Sequence, residues 1–150
     1  MTMVADSIRQ NALPKRLRVM CADDNAHVAD ALRVKLSREK GVEWTGWARD
    51  ADEVLELAQQ SSVDAVILDL DMPGRDPFDA TRELLSLYPD IRVVVFSGHV
   101  RRDLIDNAVM AGAWGYVAKS DGVGALMDAL RRVAEGDFVF SPDVRAVFEQ

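Results

Sequence analysis

Two stretches of this chain are apolar without alternation, LRVMCA from Leu17 to Ala22 and IRVVVFS from Ile91 to Ser97, each charged only at its second residue, Arg18 and Arg92. A third, AVILDL from Ala65 to Leu70, is broken only by Asp69. A strand that alternates buries one face, whereas a strand without alternation is covered on both. That pattern belongs to a parallel sheet with helices on either side. Each run is followed by a segment of helical period. Val28, Leu32 and Leu36 share one face, with Gly41 expected to stop the helix. VEWTGWA (Val42 to Ala48) reads as a second strand interrupted by Gly46, before a helix from Asp52 to Gln60 with Val54, Leu55 and Ala58 inward.

Asp76 and Pro77 suit the cap and first residue of a third helix, striped by Phe78, Thr81, Leu84, Leu85 and Tyr88. Leu104, Ile105, Ala108 and Val109 mark a fourth, ended by Gly112. GYVAK is a fifth strand, and Val123, Leu126, Met127, Leu130 and Val133 mark a fifth helix that stops at Gly136. Five β–α units in strict alternation predict a doubly wound α/β fold with right-handed crossovers. The expected division is an N-terminal extension over residues 1–15, one domain over 16–136, and a linker with a short helix over 137–150. Ser141-Pro142 opens that short helix, on which Val144, Val147 and Phe148 lie.

Composition narrows the function. With 25 acidic and 18 basic residues the net charge is -7, which argues against a nucleic-acid surface. The one cysteine, Cys21, excludes an internal disulfide and reads as a buried, inert thiol. No apolar run reaches the ~20 residues of a membrane span, and MTMVADSIRQNALPKR lacks a signal peptide's apolar core, so the expected location is cytoplasmic.

In doubly wound sheets the ligand site lies outside the carboxyl ends of the strands. Strand 1 ends in Asp23 and Asp24, strand 3 in Asp69 with Asp71 two residues on, strand 4 in Ser97, Gly98 and His99, and strand 5 in Lys119. Crowded carboxylates repel and call for a cation, and oxygen donors favour a hard divalent ion, Mg²⁺. The same groups suit phosphoryl transfer. Asp69 is then the nucleophile, Asp23 and Asp24 serve the metal, Lys119 neutralises the phosphoryl oxygens, and Ser97 bonds to one of them after transfer.

The motifs ADD at 22–24, LDLDMPG at 68–74, VFSG at 95–98 and GYVAKS at 115–120 resemble the receiver domains of two-component response regulators, the CheY-like family. The resemblance runs from about Leu17 to Gly136. It implies a five-stranded sheet of order 2-1-3-4-5 with five helices, and Asp69 as the phospho-acceptor. It implies that the backbone carbonyl of Asp71 completes the metal site and that Tyr116 swings inward after phosphorylation. The side chain of Asp71 is expected to stay in solvent. His99 is a candidate for tuning the lifetime of the phosphoryl group, and for making that lifetime pH-dependent. Implied partners are a sensor histidine kinase or phosphotransfer protein, with a homodimer or an output domain or protein as further candidates. The tail resembles the linker of NarL/LuxR-type regulators, but fourteen residues after Gly136 cannot form a helix-turn-helix, so this chain is not expected to bind DNA.

Two other readings compete. A haloacid-dehalogenase-type phosphatase also uses Asp-x-Asp, but there that motif closes the first core strand and the acidic pair comes last. A degenerate receiver acting as a docking module would lack part of the acid–acid–Ser–Lys set.

Overall fold

The computed structural model describes residues 16–149, so the extension expected over residues 1–15 lies outside the described residues. The elements in order are β1 (Leu17–Ala22), α1 (Ala26–Arg38), β2 (Val42–Ala48), α2 (Ala51–Gln60), β3 (Ala65–Leu68), α3 (Pro77–Leu87) and β4 (Arg92–Ser97). They continue with α4 (Arg102–Ala111), β5 (Gly115–Ala118), a 3-10 turn (Lys119–Asp121), α5 (Gly122–Ala134), β6 (Val139–Phe140) and α6 (Pro142–Phe148). The strands form one parallel sheet of order β2-β1-β3-β4-β5-β6.

Consecutive strand residues face opposite sides of a pleated sheet. In β1, Met20 and Ala22 enter one core with Val66, Val95, Ile105 and Tyr116, whereas Val19 and Cys21 enter the other with Leu32, Leu36, Ile67 and Leu130. Both faces are therefore apolar, which is why these strands do not alternate.

Among the described residues the sheet has six strands and the fold six helices, a correction to the five strands and five helices expected of the domain. The sixth helix is the short one expected in the tail, and the sixth strand is new. β6 is two residues long, too short for any periodicity to announce it. It pairs Val139 with Gly115 and Phe140 with Tyr116, covering an edge of β5 that would otherwise present unpaired backbone groups.

Helix ends follow local chemistry. Asp76 caps α3 by accepting from the N–H groups of Phe78 and Asp79, with Pro77 next. Helix α1 ends earlier than expected, because Glu39 is extended and Gly41 (φ +77°) shapes the turn into β2 instead. Between Trp44 and Gly46 the pairing of β2 with β1 shifts by one residue, a bulge at Thr45.

Gly112 ends α4 at φ +106°, its N–H shared between the carbonyls of Ala108 and Val109. That left-handed turn feeds the chain directly into β5. A Cβ at Gly112 would also stand 2.6 Å from Leu85 Cδ1, a side-chain terminus that can shift. Gly112→Ala is expected to cost about 1–2 kcal/mol, mostly from the left-handed backbone. Urea denaturation measures this, and an unchanged midpoint would remove Gly112 from that role.

Candidate functional site

The carboxyl ends of β1, β3, β4 and β5 bring the predicted residues to one end of the sheet. Adjacent strands are locked there by backbone bonds, from Asp23 N–H to the Ala48 carbonyl (3.0 Å) and from Asp69 N–H to the Ala22 carbonyl (2.9 Å). One carboxylate oxygen each from Asp23, Asp24 and Asp69 lie within 4.8 Å of one another. Asp23 and Asp69 are buried and Asp24 is exposed, so the cluster has two fixed walls and one open side.

Lys119 reaches into this cluster from the end of β5. Its Nζ lies 3.2 Å from Asp23 Oδ2 and 3.6 Å from Asp69 Oδ1. Burial alone would lower the Lys119 pKa, but the charges of Asp69 and Asp23 outweigh it and hold the ammonium above its ordinary value. Asp69 moves the other way for a carboxylate. Burial and then the neighbouring charge of Asp23 raise it, against the pull of Lys119 and of a backbone hydrogen bond from Asp71. The same burial, with both carboxylates nearby, pushes the Cys21 thiol far up, so it carries no thiolate.

Around the cluster, Asp23 Oδ1 accepts the N–H of Asn25 at 2.9 Å, and Asn25, not Asp24, caps α1. The Trp47 indole N–H donates to the Asp23 carbonyl at 2.6 Å. Trp47 therefore pins the backbone of the acidic pair, a role that a tryptophan in a strand does not advertise in sequence, where it reads as packing. His27 is exposed.

Ser97 is fully buried, its Oγ accepting the His99 N–H at 3.0 Å. Tyr116 is 1% exposed, and its hydroxyl donates to the His99 carbonyl at 2.6 Å. Its ring already occupies the inward position, and burial pushes its pKa up to about 12. Ser97 and Tyr116 thus grip the same residue, His99, through its N–H and its carbonyl. The side chain of Asp71 is exposed but not idle, because its Oδ2 meets the Nε2 of His99 at 2.5 Å. That contact bridges the loops after β3 and β4 at the mouth of the site.

The profile of the response regulator receiver domain matches residues 19–131. The chain belongs to the response regulator receiver family. Response regulator GacA of Pseudomonas aeruginosa is 32% identical over 128 residues, covering 85% of this chain and 60% of that protein. Transcriptional regulatory protein DegU of Brevibacillus brevis is 28% identical over 129 residues, covering 86% of this chain and 55% of that protein. The chain therefore spans little more than half the length of these relatives. A two-component response regulator of the LuxR family from Aurantimonas sp. SI85-9A1 superposes with a TM-score of 0.84 at 30% identity, covering 90% of this chain and 97% of that one. Receiver domains are signalling switches in two-component systems, not metabolic enzymes. The order of motifs and this family membership leave the phosphatase reading without support. Among the described residues, no helix is long and apolar enough to cross a membrane.

The raised pKa of Asp69 makes a prediction about stability. Between the ordinary carboxylate range and its raised folded value, the folded chain holds a proton that the unfolded chain has lost. Stability then falls as pH rises through that window. With chelator present, Asp69→Asn is therefore expected to raise the thermal midpoint near neutral pH. The gain should shrink as pH drops toward the carboxylate range, because Asp69 is then protonated in the wild type too and carries no strained charge. A wild-type chain that matched the variant at every pH would refute the assigned charge strain.

Proposed function

We propose that this receiver accepts a phosphoryl group on Asp69 from a histidine kinase or phosphotransfer protein, with Mg²⁺ as cofactor. The observation that carries this reading is the placing of Lys119 Nζ against both Asp23 and Asp69 while Asp24 leaves the cluster open to solvent. The donor set fits a hard divalent ion. Three carboxylates each bring an oxygen within 4.8 Å of the others, two of them buried, and the charge strain on Asp69 is what a cation would relieve. The carboxylates of Asp23, Asp24 and Asp69 and the backbone carbonyl of Asp71 would hold it. When bound, the ion supplies charge neutralisation for the phosphoryl oxygens.

In the transfer, an oxygen of Asp69 attacks the phosphorus of a phosphohistidine in line. An O–P bond forms as the N–P bond breaks, and the electron pair leaves with the imidazole. The Lys119 ammonium, kept charged by its two carboxylates, stabilises the equatorial oxygens. The Ser97 hydroxyl turns from the His99 N–H to a phosphoryl oxygen. Tyr116, already inward, is held there more firmly, so the signal is a population shift between arrangements of the β4–α4 loop and its neighbours. Water later hydrolyses the acyl phosphate. His99, fixed by Asp71 at the mouth, sets how readily that water approaches. The shifted surface then binds an output domain or protein, or a second copy of the chain.

Asp69→Asn is expected to abolish acid-labile label from radiolabelled phosphodonor with Mg²⁺ present, whereas Lys119→Ala retains Mg²⁺ binding but loses signalling. Label surviving on Asp71 in the Asp69 variant would overturn the assignment. His99→Ala is expected to change the half-life of the phosphorylated form by roughly threefold or more, the scale of losing one positioned contact. An unchanged half-life would exclude His99 from control of hydrolysis.

A further inference from the structure

Ser141 stands at the N-cap of α6 with Pro142 at the first helical position, yet its side chain makes no cap bond. A serine cap stabilises a helix, so its hydroxyl must be better used elsewhere. It is turned back to the sheet, where Oγ accepts the Ala118 N–H at 2.9 Å in a fully buried contact. The N–H of Ser141 donates to the Tyr116 carbonyl at 3.1 Å. The two-residue strand β6 ends at Phe140, so it offers no further carbonyl to the ladder. The Ser141 hydroxyl supplies that acceptor one position later. Without it, a buried N–H would stand unpaired beside Lys119, which is costly.

The far side of Lys119 is held by the same segment. The Ser120 hydroxyl donates to Asp143 Oδ2, and the N–H of Asp143 donates to Asp121 Oδ2 at 2.9 Å. Residues on both flanks of Lys119 are thus bonded to the start of α6. Beyond this clamp, Val144 is fully buried in the core that contains Tyr116 and Ile105. Phe148 stacks on Phe140 at 5.8 Å between centroids, and the Arg102 guanidinium of α4 lies 5.2 Å from the Phe148 ring. Helix α6 therefore runs from the Lys119 turn to α4.

We propose that Ser141 is a positioning residue for Lys119, and that through it α6 and the phospho-acceptor site report on each other's state. The inference rests on the reading of Asp69 as phospho-acceptor. By fixing the Ala118 N–H, Ser141 sets the direction in which the Lys119 side chain leaves β5. By linkage, whatever phosphorylation does to the docking of α6, the docking of α6 does in equal measure to phosphoryl binding.

The test uses the full chain, acetyl phosphate as donor and beryllofluoride with Mg²⁺ as the acyl-phosphate mimic. Ser141→Ala is expected to lower the labelling rate at saturating donor on the order of 10-fold, since small misplacements of a reacting group are costly. The half-saturating Mg²⁺ concentration should stay nearly constant, because the proposed ligands lie just past the ends of β1 and β3, away from Ser141. Beryllofluoride should slow hydrogen exchange across residues 144–148 about fivefold in the wild type, and not in Ser141→Ala. Asp143→Ala, altered at the surface, should show the same two effects with smaller size and stands in if Ser141→Ala does not fold. Variants that label at the wild-type rate and keep the exchange response would overturn the inference while leaving the Asp69 reading intact. A wild-type chain that takes no label on Asp69 would overturn both.

Discussion

The constraint on which this structure turns is the burial of two carboxylates, Asp23 and Asp69, with a single ammonium between them. Buried like charges are tolerated only when paired or neutralised. Here Lys119 satisfies part of that demand and leaves the rest to whatever arrives. Under the proposed function, that unmet demand is what a cation and then a phosphoryl group would answer, and the geometry at the sheet end is consistent with it. Backbone bonds lock the strands, Trp47 and Asn25 fix Asp23, and the β5 turn aims Lys119.

The second organising contact is the double grip on His99. A buried serine takes its N–H and a buried tyrosine takes its carbonyl. The loop that starts α4 therefore cannot move without disturbing one of these bonds. Under the proposed function, Ser97 trading its loop partner for a phosphoryl oxygen would change the balance of the loop without any large rearrangement. That suits a switch whose two states differ by a few kcal/mol, since only small differential contacts are needed to repopulate them.

Much of this was legible in the residues. β1 and β2 carry the expected bounds, because Leu17–Ala22 is flanked by charges and Val42–Ala48 by Gly41 and Arg49. Asp76-Pro77 and Gly112 announced the ends of their helices through well-defined chemistry. What escaped lies in side-chain direction and in very short elements. β6 has two residues, below any readable period. The serine of Ser141-Pro142 reads as a cap, and only the fold reveals that its hydroxyl faces β5. Asp71 reads as uncommitted because its partner, His99, is 28 positions away in sequence. Trp47 likewise bonds a carbonyl 24 positions distant. Long-range partners of polar side chains leave no periodic trace.

Cys21 illustrates how the site shapes its surroundings. Burial first, and then the charges of Asp23 and Asp69, suppress the thiol, which packs with Leu32 and Ile67 in the interior. The sulfur is therefore neither ionised nor reachable. It also gives experimenters a silent background. A thiol introduced at the surface of α6 would be the sole reactive sulfur in the molecule, so a spin label or dye there would report that helix without removing the native cysteine.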